Sequence, residues 1–271
     1  MAIVHGDIIK IERKKRKMSQ NDLAEGICKQ ATISNIERKN FCKDIEILSK
    51  VCRKLNLTLG QVVQSSPEDW LEEKLTSIED LLSKREYEKA DKALKQIKMN
   101  HIQEEKIINR YYYNSGKSLL LGKKDTDGAL FYFNQVLSTA SENDLYGILA
   151  NTGVGVTYQE KGQLNFAQIY FTKALTGITH TNQQYPLIFN EVLYKVAGFY
   201  RETKEYQKAI DLCKKAIEIN QNYQSTFFLE YLVQEIGRNK EALNDKNASS
   251  FFADALKIAN FNKNTHFTKE I

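Results

Sequence analysis

One alanine recurs through the C-terminal two thirds of this 271-residue chain, and the residues around it constrain the fold more than any other feature. Ala90, Ala129, Ala167, Ala209 and Ala248 are followed four residues later by Leu94, Phe133, Phe171, Cys213 and Phe252. Three further on stand Ile97, Val136, Ala174, Ala216 and Ala255. Positions i, i+4 and i+7 share one face of a helix, and small residues on that face let a second helix approach closely. In the third and fourth units another helix precedes in register, marked by Gly155 and Tyr158, then by Ala197 and Tyr200. A two-helix unit cannot bury its apolar face alone, so such units stack around one continuous core.

The pattern resembles the tetratricopeptide repeat over about residues 70–260, with units longer than that family's ~34 residues. The resemblance implies a right-handed α-superhelix whose first helices line a concave face. With Gly155 as the small position, Thr152, Val156 and Gln159 look inward. The equivalent sets are Asn109, Tyr113 and Lys117, then Glu191, Tyr194 and Arg201, then Phe227, Tyr231 and Gln234. Amides of this kind satisfy a peptide main chain, aromatics shape side-chain pockets, and a lysine or arginine holds a carboxylate. The bland alternatives stay open: tyrosines that pack between repeats, and Lys117 and Arg201 as solvated charges. An extended chain rises ~3.3 Å per residue and neighbouring helices stand ~10 Å apart, so five to eight residues would span the lining.

The N-terminal segment Met18–Arg38 reads as two short helices across a tight turn. Ser19 is a good N-cap with Asp22 at the capping-box position, and Met18 and Leu23 fit a hydrophobic staple. Leu23, Ala24 and Ile27 face inward on the first helix, and Ile33 and Ile36 on the second. Ser-Gln-x-x-Leu-Ala followed by Ile-Ser-x-Ile-Glu resembles the Cro/repressor-type helix-turn-helix family. In this chain Cys28 stands where that turn usually carries glycine, and the spacing is one residue shorter. The resemblance implies base reading by Gln30, Thr32 and Asn35, with Arg38 on the same outer face. Gln20, near a helix N-terminus, is expected to hold a phosphate, with Arg13 and Lys17 adding phosphate charge. Ile45, Leu48, Val51, Cys52, Leu55 and Leu59 continue the helical pattern and predict a five-helix bundle. Ser65-Ser66-Pro67 then interrupts it, which divides the chain into a head, 1–65, and a repeat domain, 66–271.

Charge follows the same division. Residues 1–65 hold thirteen Lys/Arg against seven Asp/Glu, while the remainder is nearly neutral, so a polyanion partner suits the head alone. Two prolines and no strand-like alternation favour an all-α chain. No apolar run approaches the ~20 residues of a membrane span, and no secretory signal is apparent. Cys28, Cys42, Cys52 and Cys213 lack ligand spacing and read as small apolar residues of a reducing, cytoplasmic setting. His5, His101, His180 and His266 are scattered. With no phosphate-cradling loop and no nucleophile–base pair, neither a metal, a cofactor nor an enzymatic activity is expected.

A Cro-type head joined to five helical repeats resembles the peptide-responsive regulators of low-GC Gram-positive bacteria, the PlcR-type regulators and their Rgg and PrgX relatives. Gly26 to Gln30 is similar to the PlcR-type turn in particular. The resemblance implies a cytoplasmic homodimer that binds a pseudo-palindromic operator in double-stranded DNA and is gated by a short signalling peptide. Two other readings remain: a regulator whose repeats only dimerise or recruit a partner protein, and a repeat protein acting on a signalling partner without DNA.

Overall fold

The computed structural model describes residues 2–63, 67–99, 102–180 and 186–270. The chain divides into two compact units, residues 1–73 and 74–271. The boundary expected between residues 65 and 66 lies outside the described residues, and the helix that follows begins at Pro67.

The first unit holds α1 (Gly6–Lys15), α2 (Gln20–Ala24), α3 (Gln30–Lys39), α4 (Ile45–Lys54) and α5 (Leu59–Val62). Its core is Val4, Ile9, Leu23, Ile33, Ile36, Leu48, Val51 and Leu55, all essentially inaccessible. Ser19 and Asp22 form the anticipated capping box at the start of α2, each side chain taking the other's backbone N–H. Lys54 Nζ donates to the Asp22 and Glu25 carbonyls near the other end of α2 (2.6 and 2.8 Å), a cation at the negative end of a short helix. Two details depart from the sequence reading. A two-residue strand β1 (Ala2–Ile3) pairs antiparallel with β2 (Phe41–Cys42), each too short to show a period. Ile45, expected inside, is 57% exposed because it is the first residue of α4, N-capped by Asp44. The left-handed residue of the turn after α2 is Gly26, φ 74°, so the turn does not require glycine at Cys28.

The helices that follow form five antiparallel pairs: α6 (Pro67–Ser83) with α7 (Tyr87–Lys95), α8 (Glu105–Lys123) with α9 (Thr126–Leu137), and α10 (Leu145–Glu160) with α11 (Leu164–His180). The series continues as α12 (Phe189–Glu202) with α13 (Tyr206–Asn222), and α14 (Leu229–Ala242) with α15 (Ala248–Phe261), before a short α16 (Phe267–Glu270). Helix α6 begins in the first unit and ends in the second. The recurring alanines sit on the second helix of each pair and are buried throughout. Their large partners Leu94, Phe133, Phe171 and Cys213 are buried with them, while Phe252 in the last pair is half-buried.

Large side chains fit because the first helices yield space. A Cβ on Gly116 would come within 2.7 Å of the Phe133 ring, one on Gly153 within 2.6 Å of the same ring, and one on Gly155 within 2.8 Å of Phe171. Phe133 therefore occupies a slot between the first helix of its own repeat and that of the next. At the C-terminal end Tyr231 packs edge-on against Phe267, its hydroxyl taking a hydrogen bond from Asn264 Nδ2 (3.2 Å). Arg85 Nη2, in the turn of the first pair, lies 3.5 Å from the same hydroxyl, so the first and fifth repeats meet across the superhelix.

Gly153→Ala should destabilise the repeat unit by about 1–3 kcal/mol, because an inflexible buried ring has to shift to admit the methyl group. Urea unfolding of the variant measures it; unchanged stability would show that the slot has slack.

Candidate nucleic-acid interface and concave-face site

In the head, a chain of polar side chains runs from the interior to the start of α3. Arg13 is buried on α1 and clamps Glu37 of α3 with Nε (2.5 Å) and Nη2 (2.9 Å), while Nη1 donates to the Met18 carbonyl (2.7 Å). Gln20 Nε2 donates to Glu37 Oε2 (2.8 Å), the oxygen that also accepts from Arg13 Nη2, and Gln20 Oε1 accepts from Gln30 Nε2 (2.6 Å). Burial would push the Glu37 carboxyl up, but the hydrogen bonds from Arg13 and Gln20 outweigh it and hold it below its ordinary value. The bond to Glu37 in turn raises Arg13.

This corrects two sequence expectations. Arg13 does not stand at the surface for phosphate, because its side chain is buried and its three nitrogens each donate inside the head. The Gln20 side chain braces Gln30 rather than standing free at the helix start. The rest of the reading surface is open: Gln30, Asn35 and Arg38 are exposed on α3, Thr32 is half-exposed, and Lys17 is exposed just past the end of α1 at φ 56°. Lys14, Lys15 and Arg16 are exposed beside it. Gln30 keeps its carbonyl-side pairing chemistry while its orientation is fixed from behind. Glu37 was missed in the sequence because a buried ion pair 24 residues apart leaves no periodic signal.

In the repeat unit, α8, α10, α12 and α14 are neighbours and form the concave wall. A cavity of about 430 Å³ opens on it, within the range of small-ligand clefts. Gln159 and Val156 of α10 form one side, Tyr194, Gly198 and Arg201 of α12 the floor, and Glu235 of α14 the far side. Four of the residues read from sequence, Val156, Gln159, Tyr194 and Arg201, thus come together. Gln159 Nε2 donates to Glu202 (2.5 Å) and Arg201 Nε to Glu235 Oε1 (2.7 Å), while Arg238 approaches Glu235 Oε2 at 3.5 Å. Lys117 reaches past α10 to pair with both oxygens of Glu191 (2.8 and 2.9 Å). Burial alone would lower Lys117, but the Glu191 charge outweighs it and raises it; the same exchange holds Glu191 down. Beside them the hydroxyl of the half-buried Tyr113 is pushed up to about 12, desolvation being the main cause. Tyr194 continues the wall to Phe228 and Tyr231, with ring centroids 5.7 and 5.8 Å away.

Other expected lining residues sit elsewhere. Asn109 is buried and accepts from Thr139 Oγ1 (2.7 Å), tying the start of α8 to the end of α9. Thr152 is buried and bonds the Ile148 carbonyl of its own helix (2.9 Å). Phe227 precedes α14 instead of lying on it, and its carbonyl accepts from Asn220 Nδ2 (2.9 Å). Gln234 is buried on α14. Phe227 falls in a connection whose length the register does not give, while Asn109, Thr152 and Gln234 lie on their helices but are buried in the packing. Lys195, which the register did not select, also lines the cavity. Among the described residues no cluster of His, Cys, Asp or Glu is arranged for a metal, and no helix is long and apolar enough to cross a membrane.

A helix-turn-helix family model matches residues 9–62, and a tetratricopeptide repeat model matches residues 191–223. Among solved structures the chain is similar to Bacillus thuringiensis PlcR in complex with the peptide PapR7 and DNA: 22% identity, 98% of this chain and 97% of that one covered, TM-score 0.62. The apo form of PlcR gives 17% identity, 94% and 97% coverage, and a TM-score of 0.61. A Rap protein complexed with competence and sporulation factor gives 15% identity, 72% and 55% coverage, and a TM-score of 0.54. A comparison with curated proteins gives no match. The chain has the architecture of the PlcR-type regulators, a helix-turn-helix head followed by tetratricopeptide-like repeats.

Arg13→Ala should destabilise the head by about 3 kcal/mol by stranding a buried carboxylate, yet leave the salt dependence of DNA binding unchanged. The ion pair's contribution is present above the ordinary glutamate pKa of 4.5 and is lost as pH falls through the depressed folded value. Thermal melts against pH, with a log K against log[salt] plot, check both; a flatter salt plot for the variant would restore Arg13 as a phosphate contact.

Proposed function

We propose that this chain is a DNA-binding transcription regulator gated by a short peptide held in the concave face of its repeats. The fold and the head support DNA binding. The exposed edge of α3 carries Gln30, Thr32 and Asn35, and amides of this kind pair with adenine edges while a threonine methyl meets thymine. Lys17 and the exposed run before it supply phosphate charge, and Arg38 extends that surface along α3.

The observation that carries the gating is the cavity shared by three successive first helices. A ligand touching α10, α12 and α14 together favours whichever arrangement of those helices it fits, and so shifts the population of the whole superhelix. In a homodimer, two heads read a pseudo-palindromic operator well only when their reading helices stand about one helical turn apart, ~34 Å. Turning a mostly wrong spacing into a mostly right one needs a differential affinity on the order of 5 kcal/mol, which an extended peptide in a long groove can supply. PlcR bound to PapR7 and DNA, and Rap bound to its factor, are neighbours in fold that support this reading.

Selection of bound duplexes from a random-sequence pool supplies the operator for the test. On that operator Asn35→Ala should lose about 1–3 kcal/mol of binding, with little loss on random DNA. Equal losses on both would reduce Asn35 to a backbone contact. Small secreted peptides of the host, added to the same binding reaction, should change operator affinity; no change, with operator binding intact, favours repeats that only dimerise or recruit a partner protein.

A further inference from the structure

Glycine inside a helix lowers stability relative to alanine, so each one in the repeats calls for a reason. Gly116, Gly153 and Gly155 have theirs in the rings of Phe133 and Phe171, and Gly237 lies against Phe251 and Phe252. Gly198, in the middle of α12, has none of that kind. A Cβ built there meets nothing within 4 Å, alone among the described glycines of the repeat helices. Its backbone is not in the left-handed region either, so no turn requires it. Gly198 instead forms the floor of the concave cavity, between Tyr194 and Lys195 on one side and Arg201 on the other.

Lys195 is the second unexplained residue at that floor. Among the described residues its ammonium makes no hydrogen bond and no ion pair, resting only near the Tyr194 ring, 5.6 Å from its centroid. The nearby carboxylates are already engaged. Glu191 is held by Lys117, Glu235 by Arg201, Glu160 by Lys124 at 3.4 Å, and Glu202 accepts from Gln159. Burial therefore draws the Lys195 pKa down; Glu191 and Glu160 oppose the shift, while Lys117 and Arg85 add to it. A half-buried cation without a counter-charge destabilises the free protein, and an incoming anion relieves it.

We infer that the bare face of α12 at Gly198 is the subsite where the main chain of an extended peptide lies against the helix, with a carboxylate of that peptide paired to Lys195. This inference deepens the peptide-binding reading and rests on it. Gly198 supplies clearance that any side chain would remove, and Lys195 supplies, among the described residues, the cation of the cavity lining that no hydrogen bond or ion pair engages. The carboxylate is that of an Asp or Glu side chain or of the peptide's C-terminus.

The full-length protein is exposed to a heptapeptide library, and retained peptides are sequenced. Their affinities are then measured as free acids, as C-terminal amides, and with Asp/Glu replaced by Asn/Gln. One of the two neutralisations should weaken binding tenfold or more, which identifies the source of the carboxylate. Lys195→Met should weaken the acidic peptide tenfold or more but bind the neutralised peptide as wild type does. Gly198→Ala should weaken every retained peptide while raising the Tm of the unliganded repeat unit by about 2–4 °C. A lowered Tm for Gly198→Ala would mean that the fold itself needs the glycine and would overturn the inference. So would a Lys195→Met protein that still discriminates acidic from neutralised peptide as wild type does. Retention of no peptide by wild type would overturn the peptide reading beneath it, a result distinct from either.

Discussion

The repeat unit depends on aromatic rings lodged where the neighbouring helices lack side chains. Phe133 lies between Gly116 and Gly153, and Phe171 against Gly155, so each ring fixes how closely two first helices approach. Dispersion is short-ranged and interiors are close-packed, which leaves these contacts little room to adjust. The spacing of α8, α10 and α12 follows from them, and with it the width of the concave wall. A site on that wall is set by packing on its far side.

The head is organised by a different kind of constraint. Its few apolar residues make a small core, and a buried Arg13–Glu37 pair crosses it from α1 to α3. Such a pair adds little over an apolar substitute, but it fixes direction. Glu37 takes Gln20, Gln20 takes Gln30, and the first residue of the reading helix is oriented from within. Rigid support behind an exposed polar side chain lowers the cost of ordering it against a base.

Periodic features were the legible part of the sequence. The alanine seam located the second helix of all five pairs, and the capping box and staple located α2, because each is a local rule repeated at fixed spacing. The β1–β2 pairing escaped because two residues carry no period. In the groove, Val156, Gln159, Tyr194 and Arg201 emerged from register on the repeat pattern, whereas Asn109 and Phe227 lie elsewhere. Asn109 faces the end of its partner helix and Phe227 sits in a connection, and neither fact has a spacing signature. Lys195 was invisible for a further reason. What distinguishes it is the lack of a partner, and in sequence every lysine lacks one.

Peptide gating requires that the concave face and the head be energetically coupled. Coupling is reciprocal, so it can be read from the side opposite to the usual one. The measurement is the affinity of a library-selected peptide for the full-length protein, with and without saturating operator duplex. If the two are coupled, DNA changes the peptide's dissociation constant by the same factor by which the peptide changes that of DNA, at least fivefold for a coupling of about 1 kcal/mol. A peptide affinity that is identical with and without operator would contradict it.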